Sequence, residues 1–121
     1  MNDGVELSVY EIVGSDLCVA SEDGQKVYDR IATSLTEGRT VSLSFRNIKS
    51  LTSAFLNAAI GQLYGSFKED EIRSKLKVHD LEPEDRALLK RVVDTAKEYF
   101  KDPQRFEHAI QEVLGDQAVE K

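Results

Sequence analysis

The chain is poor in the residues that build disulfide frameworks, membrane spans and polyanion-binding surfaces. One cysteine, Cys18, among 121 residues can form neither an internal disulfide nor a cysteine-rich zinc site. A lone thiol suits a reducing compartment, so a cytoplasmic location is expected. Only two prolines, with seven glycines, exclude collagen-like and Pro/Gly-rich disordered classes. No apolar run approaches the roughly 18 residues of a membrane span, and Met1 to Glu6 carries acids where a signal peptide has a basic region. Neither secretion, membrane insertion nor a membrane partner is expected. Basic residues are outnumbered: 16 Lys and Arg against 22 Asp and Glu leave a net charge of -6. Such a surface repels a polyanion, which argues against nucleic acid as a partner.

Recognisable catalytic patterns are missing too. There is no G-x-x-x-x-G-K-[ST] loop, which excludes nucleotide hydrolysis by that route. His79 and His108 lie in different elements without H-E-x-x-H or C-x-x-C spacing, so no metal site is expected. Nothing adjacent in sequence would lower the pKa of Cys18, which reads as a small buried hydrophobe. Asp70, Glu71, Glu84 and Asp85 fall at helix starts and charged turns, where solvation and the helix dipole account for them. No catalytic set and no cofactor are expected, and the chain reads as a non-enzyme.

What is present is a globular pattern, 40% hydrophobic and 31% charged, of a size that fits one domain. That domain is expected over residues 1–115, with residues 116–121 as a frayed tail. Val5, Leu7 and Val9 alternate with polar residues as in a half-buried strand, and Ile12 and Val13 prolong the pattern. A turn cluster at Gly14, Ser15 and Asp16 precedes the apolar run Leu17 to Ala20, which could pair back as a hairpin. Ser21, Glu22 and Asp23 then open an amphipathic helix carrying Val27, Ile31 and Leu35, with Gly38 as its left-handed cap. Val41, Leu43 and Phe45 alternate with serines in a central strand from Thr40 to Ile48. Leu56, Ile60, Leu63 and Phe67, widened by Phe55 and Ala59, stripe a second helix from Thr52 to Phe67. After the charged stretch Lys68 to Lys75 come a short strand, Leu76 to His79, and a helix opened by Pro83 and carrying Leu88, Leu89, Val92, Val93, Ala96 and Phe100. Asp102-Pro103 breaks this helix and starts another, with Phe106, Ile110, Val113 and Leu114. The order predicts an α/β fold: a small mixed sheet, an N-terminal antiparallel strand pair and about four helices.

The informative segment is Val41 to Gly65. Ser50, Thr52 and Ser53 fall where helix amides lack partners, so their hydroxyls can serve as caps. The same helix start would also favour a phosphate, with Arg46 and Lys49 nearby to hold an anion. Ser53, Asn57, Gly61 and Gly65, spaced by four, form a row of little bulk that a partner could approach.

Ser44-Phe45, Ile48, Leu51-Thr52-Ser53-Ala54-Phe55-Leu56 and Gly61, in that order, resemble the STAS-like family of unknown function (DUF4325). The segment is more distantly similar to the STAS domains of anti-sigma-factor antagonists, in which Asp-Ser-Ser-Gly-Leu opens the same helix and a partner kinase phosphorylates the first serine. By position Ser53 matches that serine, Thr52 the aspartate, Ala54 the second serine, Phe55 the glycine and Leu56 the leucine. Thr52 thus lacks the carboxylate, and Phe55 is far bulkier than glycine. The resemblance implies a STAS-like fold and a regulatory, bacterial-type signalling module. Its partner would be a histidine-kinase-type ATPase or an anti-sigma-like regulator, docking on Thr52, Ser53, Asn57 and Gly61. The module itself is expected to be a monomer or weak homodimer. An alternative reading from the residues is a small anion- or nucleotide-sensing domain built on Arg46, Lys49 and the Thr52-Ser53 helix start.

Overall fold

Val5 and Leu7 alternate with Glu6 and Ser8 along the first strand, β1 (Gly4–Ser8), as the period of two requires. The structure, a computed structural model, describes residues 4–101. The strand ends where the Ser8 hydroxyl accepts the Glu11 N–H at 3.2 Å and opens a short helix, α1 (Val9–Val13), which Gly14 closes at φ 80. Ile12 and Val13, expected to prolong the strand, are therefore helical. A capping serine and a left-handed glycine bracket a segment too short for its apolar pattern to decide.

The next strand, β2 (Leu17–Cys18), does not fold back on β1, so the expected antiparallel pair is replaced by two parallel pairings. β1 pairs with β3 (Thr40–Ser44), and β2 pairs with β4 (Ser50–Leu51). The register of β1 on β3 sets Val5 beside Val41 and Leu7 beside Leu43, joining their apolar faces into one. α1 stands between β1 and β2, so the tight turn a hairpin needs is absent. β5 (Leu76–His79) flanks β3 on its other side, again in parallel, giving the order β1-β3-β5. The expected sheet was mixed; among the described residues every pairing is parallel.

Between β2 and β3 runs α2 (Ser21–Thr36), which buries Val27, Ile31 and Leu35. Ser21 does not cap it; the Ala20 carbonyl accepts the Asp23 and Gly24 N–H groups at 3.2 Å. At the other end Gly38 adopts φ 78, its N–H donating to the Leu35 carbonyl while the Arg39 N–H donates to that of Ser34. This double closure needs the left-handed backbone that glycine adopts without strain.

A helical run follows β4 in three pieces: α3 (Ser53–Leu56), a π-helical turn (Asn57–Gly61) and α4 (Leu63–Ser66). The charged stretch is itself a helix, α5 (Glu69–Lys75), burying only Ile72. No apolar period announces it, but Glu69, Asp70 and Glu71 at its start and Arg73 and Lys75 at its end complement the helix dipole. α6 (Pro83–Lys101) buries Val92 and Ala96 and packs on the interrupted helix. The helix expected beyond Asp102-Pro103, His108, the domain limit at 115 and the tail at 116–121 lie outside the described residues.

Leu43, Phe45, Leu56, Ile60 and Leu63 share one core with Leu7, Val27 and Ile31. A period-two strand face and a helical stripe have covered each other as their patterns demand. Helices cover that face of the sheet. The opposite face carries Glu6, Ser8, Ser42, Ser44, Lys77 and His79, none of them buried.

Candidate functional site

Thr52 starts the interrupted helix. Its side chain accepts the Phe55 N–H at 3.2 Å and donates to the Val19 carbonyl at 2.8 Å, so this hydroxyl satisfies one free helix amide and anchors the chain leaving β2. Ser50, a cap candidate, belongs to β4 instead. Ser53 and Ala54 face solvent, while Phe55 and Leu56 turn into the core with no exposure. The ring that replaces the expected glycine therefore fills the interior and adds no bulk to the surface.

The π turn then shifts the phase of the helix. The Gln62 N–H reaches back five residues to the Asn57 carbonyl at 3.0 Å, the wider bond that defines such a turn. Asn57 stays exposed, and its Oδ1 lies over Gly61, which is buried. A Cβ on Gly61 would stand 3.5 Å from Val92, and one on Gly65 would fall within 2.5–2.9 Å of the Phe100 ring. Of the small-residue row Gly61 is buried, Gly65 is exposed but lies against the Phe100 ring of α6, and Ser53 and Asn57 are exposed.

Ser53, Ala54 and Asn57 form one wall of an open groove of about 550 Å³, and Leu88, Arg91, Val92 and Thr95 of α6 form the other. Its lining is mainly apolar, and Arg91 is the one charged side chain among its lining residues. The α6 contribution did not emerge from sequence reasoning. The signal was there in part: Leu88, Leu89, Val92, Val93 and Ala96 are more apolar residues than one buried stripe needs.

Arg46 and Lys49 do not line this groove. The Lys49 Nζ lies 3.7 Å from the Asp16 carboxylate, and the Lys49 N–H donates to the Asp16 carbonyl at 2.8 Å. Arg46 lines a separate, more polar groove of about 520 Å³ with Glu6, Ser8, Glu11, Ser42, Ser44, His79 and Asp80. There the Ser44 hydroxyl donates to the Asp80 carboxylate at 2.6 Å and accepts the Arg46 N–H at 3.2 Å.

Cys18 is fully buried. Burial first, and the charges of Asp23 and Asp16 second, push its thiol up to about 11, away from the thiolate a nucleophile needs. Among the described residues no group of three or more His, Cys, Asp or Glu side chains converges as a metal site, and no helix is long and apolar enough to cross a membrane.

A family model described as a STAS-like domain of unknown function (DUF4325) matches residues 23–86, more than half of the chain. The match runs from the first turn of α2 into the first turn of α6, and so covers Ser53 and Asn57 but not Leu88 or Arg91. Searches of curated proteins and of solved structures found no match.

Proposed function

The chain belongs to the STAS-like domain family of unknown function (DUF4325), and from that membership we propose that it is a regulatory module that binds a protein partner and catalyses no reaction. The groove between α3 and α6 supports this reading best. It combines the apolar side chains of Ala54, Leu88 and Val92 with hydroxyl and amide groups on Ser53, Thr95 and Asn57 and one cation, Arg91. That composition suits a protein surface better than a small ligand, because the groove is open and its polar lining residues, Ser53, Asn57, Arg91 and Thr95, are all exposed.

Ser53 is the switch in this proposal. It is exposed at the first helical position, and a phosphoryl group there would bring about two negative charges to the wall of the groove opposite the one that carries Arg91. The fold would tolerate the charge, while a partner seated in the groove would meet new bulk and an anion. By the family resemblance the partner is a histidine-kinase-type ATPase or an anti-sigma-like regulator, in the cytoplasm.

The test is affinity capture with the full chain, followed by identification and purified reconstitution of the retained protein. Ser53→Asp and Arg91→Glu should each weaken that complex while leaving the circular dichroism spectrum and melting temperature close to the parent. If both variants fold and bind the reconstituted partner as the parent does, the groove is not the interface. A thermal shift with ATP, GTP or phosphate at millimolar levels would instead favour a ligand sensor.

A further inference from the structure

Parallel sheets are found almost only where both faces are covered. Here one face is covered and the other is bare among the described residues. Leu7, Val41 and Leu43 are buried, whereas Ser8, Ser42 and Ser44 are partly exposed and Glu6, Lys77 and His79 are exposed. The strand registers place these six polar residues in two straight rows across the sheet. One row is Glu6, Ser42, Lys77 and the next is Ser8, Ser44, His79. The first row is acidic at the β1 edge, small in the middle and basic at the β5 edge.

We propose that this face is the interface of a homodimer, in which a second copy lies face to face with the first about a two-fold axis parallel to the strands. Such a rotation preserves strand direction and exchanges the edges, so β1 of one copy lies over β5 of the other. A two-fold contact needs a patch complementary to itself, and the first row meets that condition. Each Glu6 faces Lys77 of the second copy, and Ser42 faces Ser42 on the axis. A two-fold running across the strands would instead stack β1 on β1 and bring the acidic edges together.

The neighbouring chemistry is compatible with this arrangement. The serines are short enough for close approach, and the Ser42 hydroxyl, which lies on the axis, can both donate and accept there; the Ser44 proton is already given to Asp80. Lys77 donates to the Arg73 carbonyl at 3.3 Å, which leaves ammonium protons for a carboxylate of the second copy. Glu11, Arg46 and Asp80 follow the carboxyl ends of the strands and line the same groove, and the Asp80 carboxylate reaches the second row, where it accepts the Ser44 hydroxyl at 2.6 Å; the first row carries none of these contacts. The docking groove lies among the helices on the covered side of the sheet, so the two surfaces do not compete. Three strands about 4.8 Å apart make a narrow footprint, so the dimer is of the weak, concentration-dependent kind.

Sedimentation velocity on the full chain, from low micromolar to near millimolar concentration, tests this. A reversible monomer–dimer equilibrium is expected, weakened by added salt. Glu6→Lys and Lys77→Glu, both at exposed positions, should each raise the dissociation constant about tenfold or more. The double exchange should restore the dimer, because opposite charges would again face each other across the axis. A chain that is monomeric throughout the range leaves the face to another partner or to solvent and overturns the proposal. A dimer indifferent to both reversals, or a double exchange no tighter than the single ones, overturns it equally.

Discussion

Thr52 and Val19 are joined by a hydrogen bond of 2.8 Å from the threonine hydroxyl to the valine carbonyl, across 33 positions of sequence. The same oxygen accepts the Phe55 N–H. One side chain thus fixes both where the interrupted helix begins and where the chain leaving β2 must pass, and in doing so it sets the Ser53 lip of the groove.

Thr52→Ala should therefore lower stability by about 1–2 kcal/mol, the usual cost of a lost cap with a second bond added. Thr52→Ser should recover most of it. Urea unfolding of the two variants checks this, and equal midpoints for parent and Thr52→Ala would sink the assignment.

The glycines should separate by what surrounds them. A Cβ on Gly24 would stand 2.5 Å from the Phe55 carbonyl oxygen and 2.8 Å from the Ala58 methyl, groups held by the neighbouring helix. Glycine to alanine in a helix normally gains about 1 kcal/mol, but overpacking of about 1–3 kcal/mol should outweigh it, lowering the melting temperature of Gly24→Ala. At Gly61 the nearest obstacle is the free end of the exposed Asn57 side chain, which can swing away, so Gly61→Ala should be neutral or stabilising. Gly61→Arg must instead displace α6 and should destabilise the fold strongly, as thermal melts of all three will show.

Cys18 should be inert in the folded chain. Its thiol, pushed up to about 11 from 9.0, should react with a thiol reagent near neutral pH only on unfolding. The sign for stability follows from linkage: the folded state holds this proton more tightly, so the contribution is intact below about 9 and is lost as pH rises toward about 11. Cys18→Ala should flatten that alkaline decline. An equally steep decline in the variant would assign it to other groups.

Lys97 ties α6 to α5 and α4. Its Nζ lies 3.0 Å from Glu69 and 5.9 Å from the centre of the Tyr64 ring. The hydrogen bond from Lys97, with help from Arg73, holds the Glu69 carboxyl below its ordinary value of 4.5. A lowered carboxylate contributes stability above its unfolded value and loses it as pH falls. The parent should therefore lose its advantage over Glu69→Gln below about pH 4.5. Because the pair is exposed, the difference should also shrink in high salt. A difference unchanged by acid and salt would point to packing instead.

Elements that carry a full apolar period of their own were legible residue by residue. Val27, Ile31 and Leu35 specify α2, Val41 and Leu43 specify β3, although that strand ends at Ser44 and not at Ile48 as expected, and the Thr52 start with Leu56, Ile60 and Leu63 marks the interrupted helix. In each case the local pattern and the buried face are the same fact. The resemblance that leads to the family was legible in the same segment. What the sequence could not decide was which face meets which. β1 takes β3 as its parallel partner instead of β2, because α1 intervenes and the Val5–Val41 and Leu7–Leu43 register makes one continuous apolar surface. α5 carries too little apolar surface to declare itself. Ser53 and Asn57 could be named from their spacing, but Gly61 turned out to be buried under α6, and Arg91 and Leu88 enter the groove only because that helix crosses there. Local periods determine which side of an element is apolar. The pairing of strands and the crossing of helices are set by non-local burial summed over the whole core, and only the tertiary structure decides them.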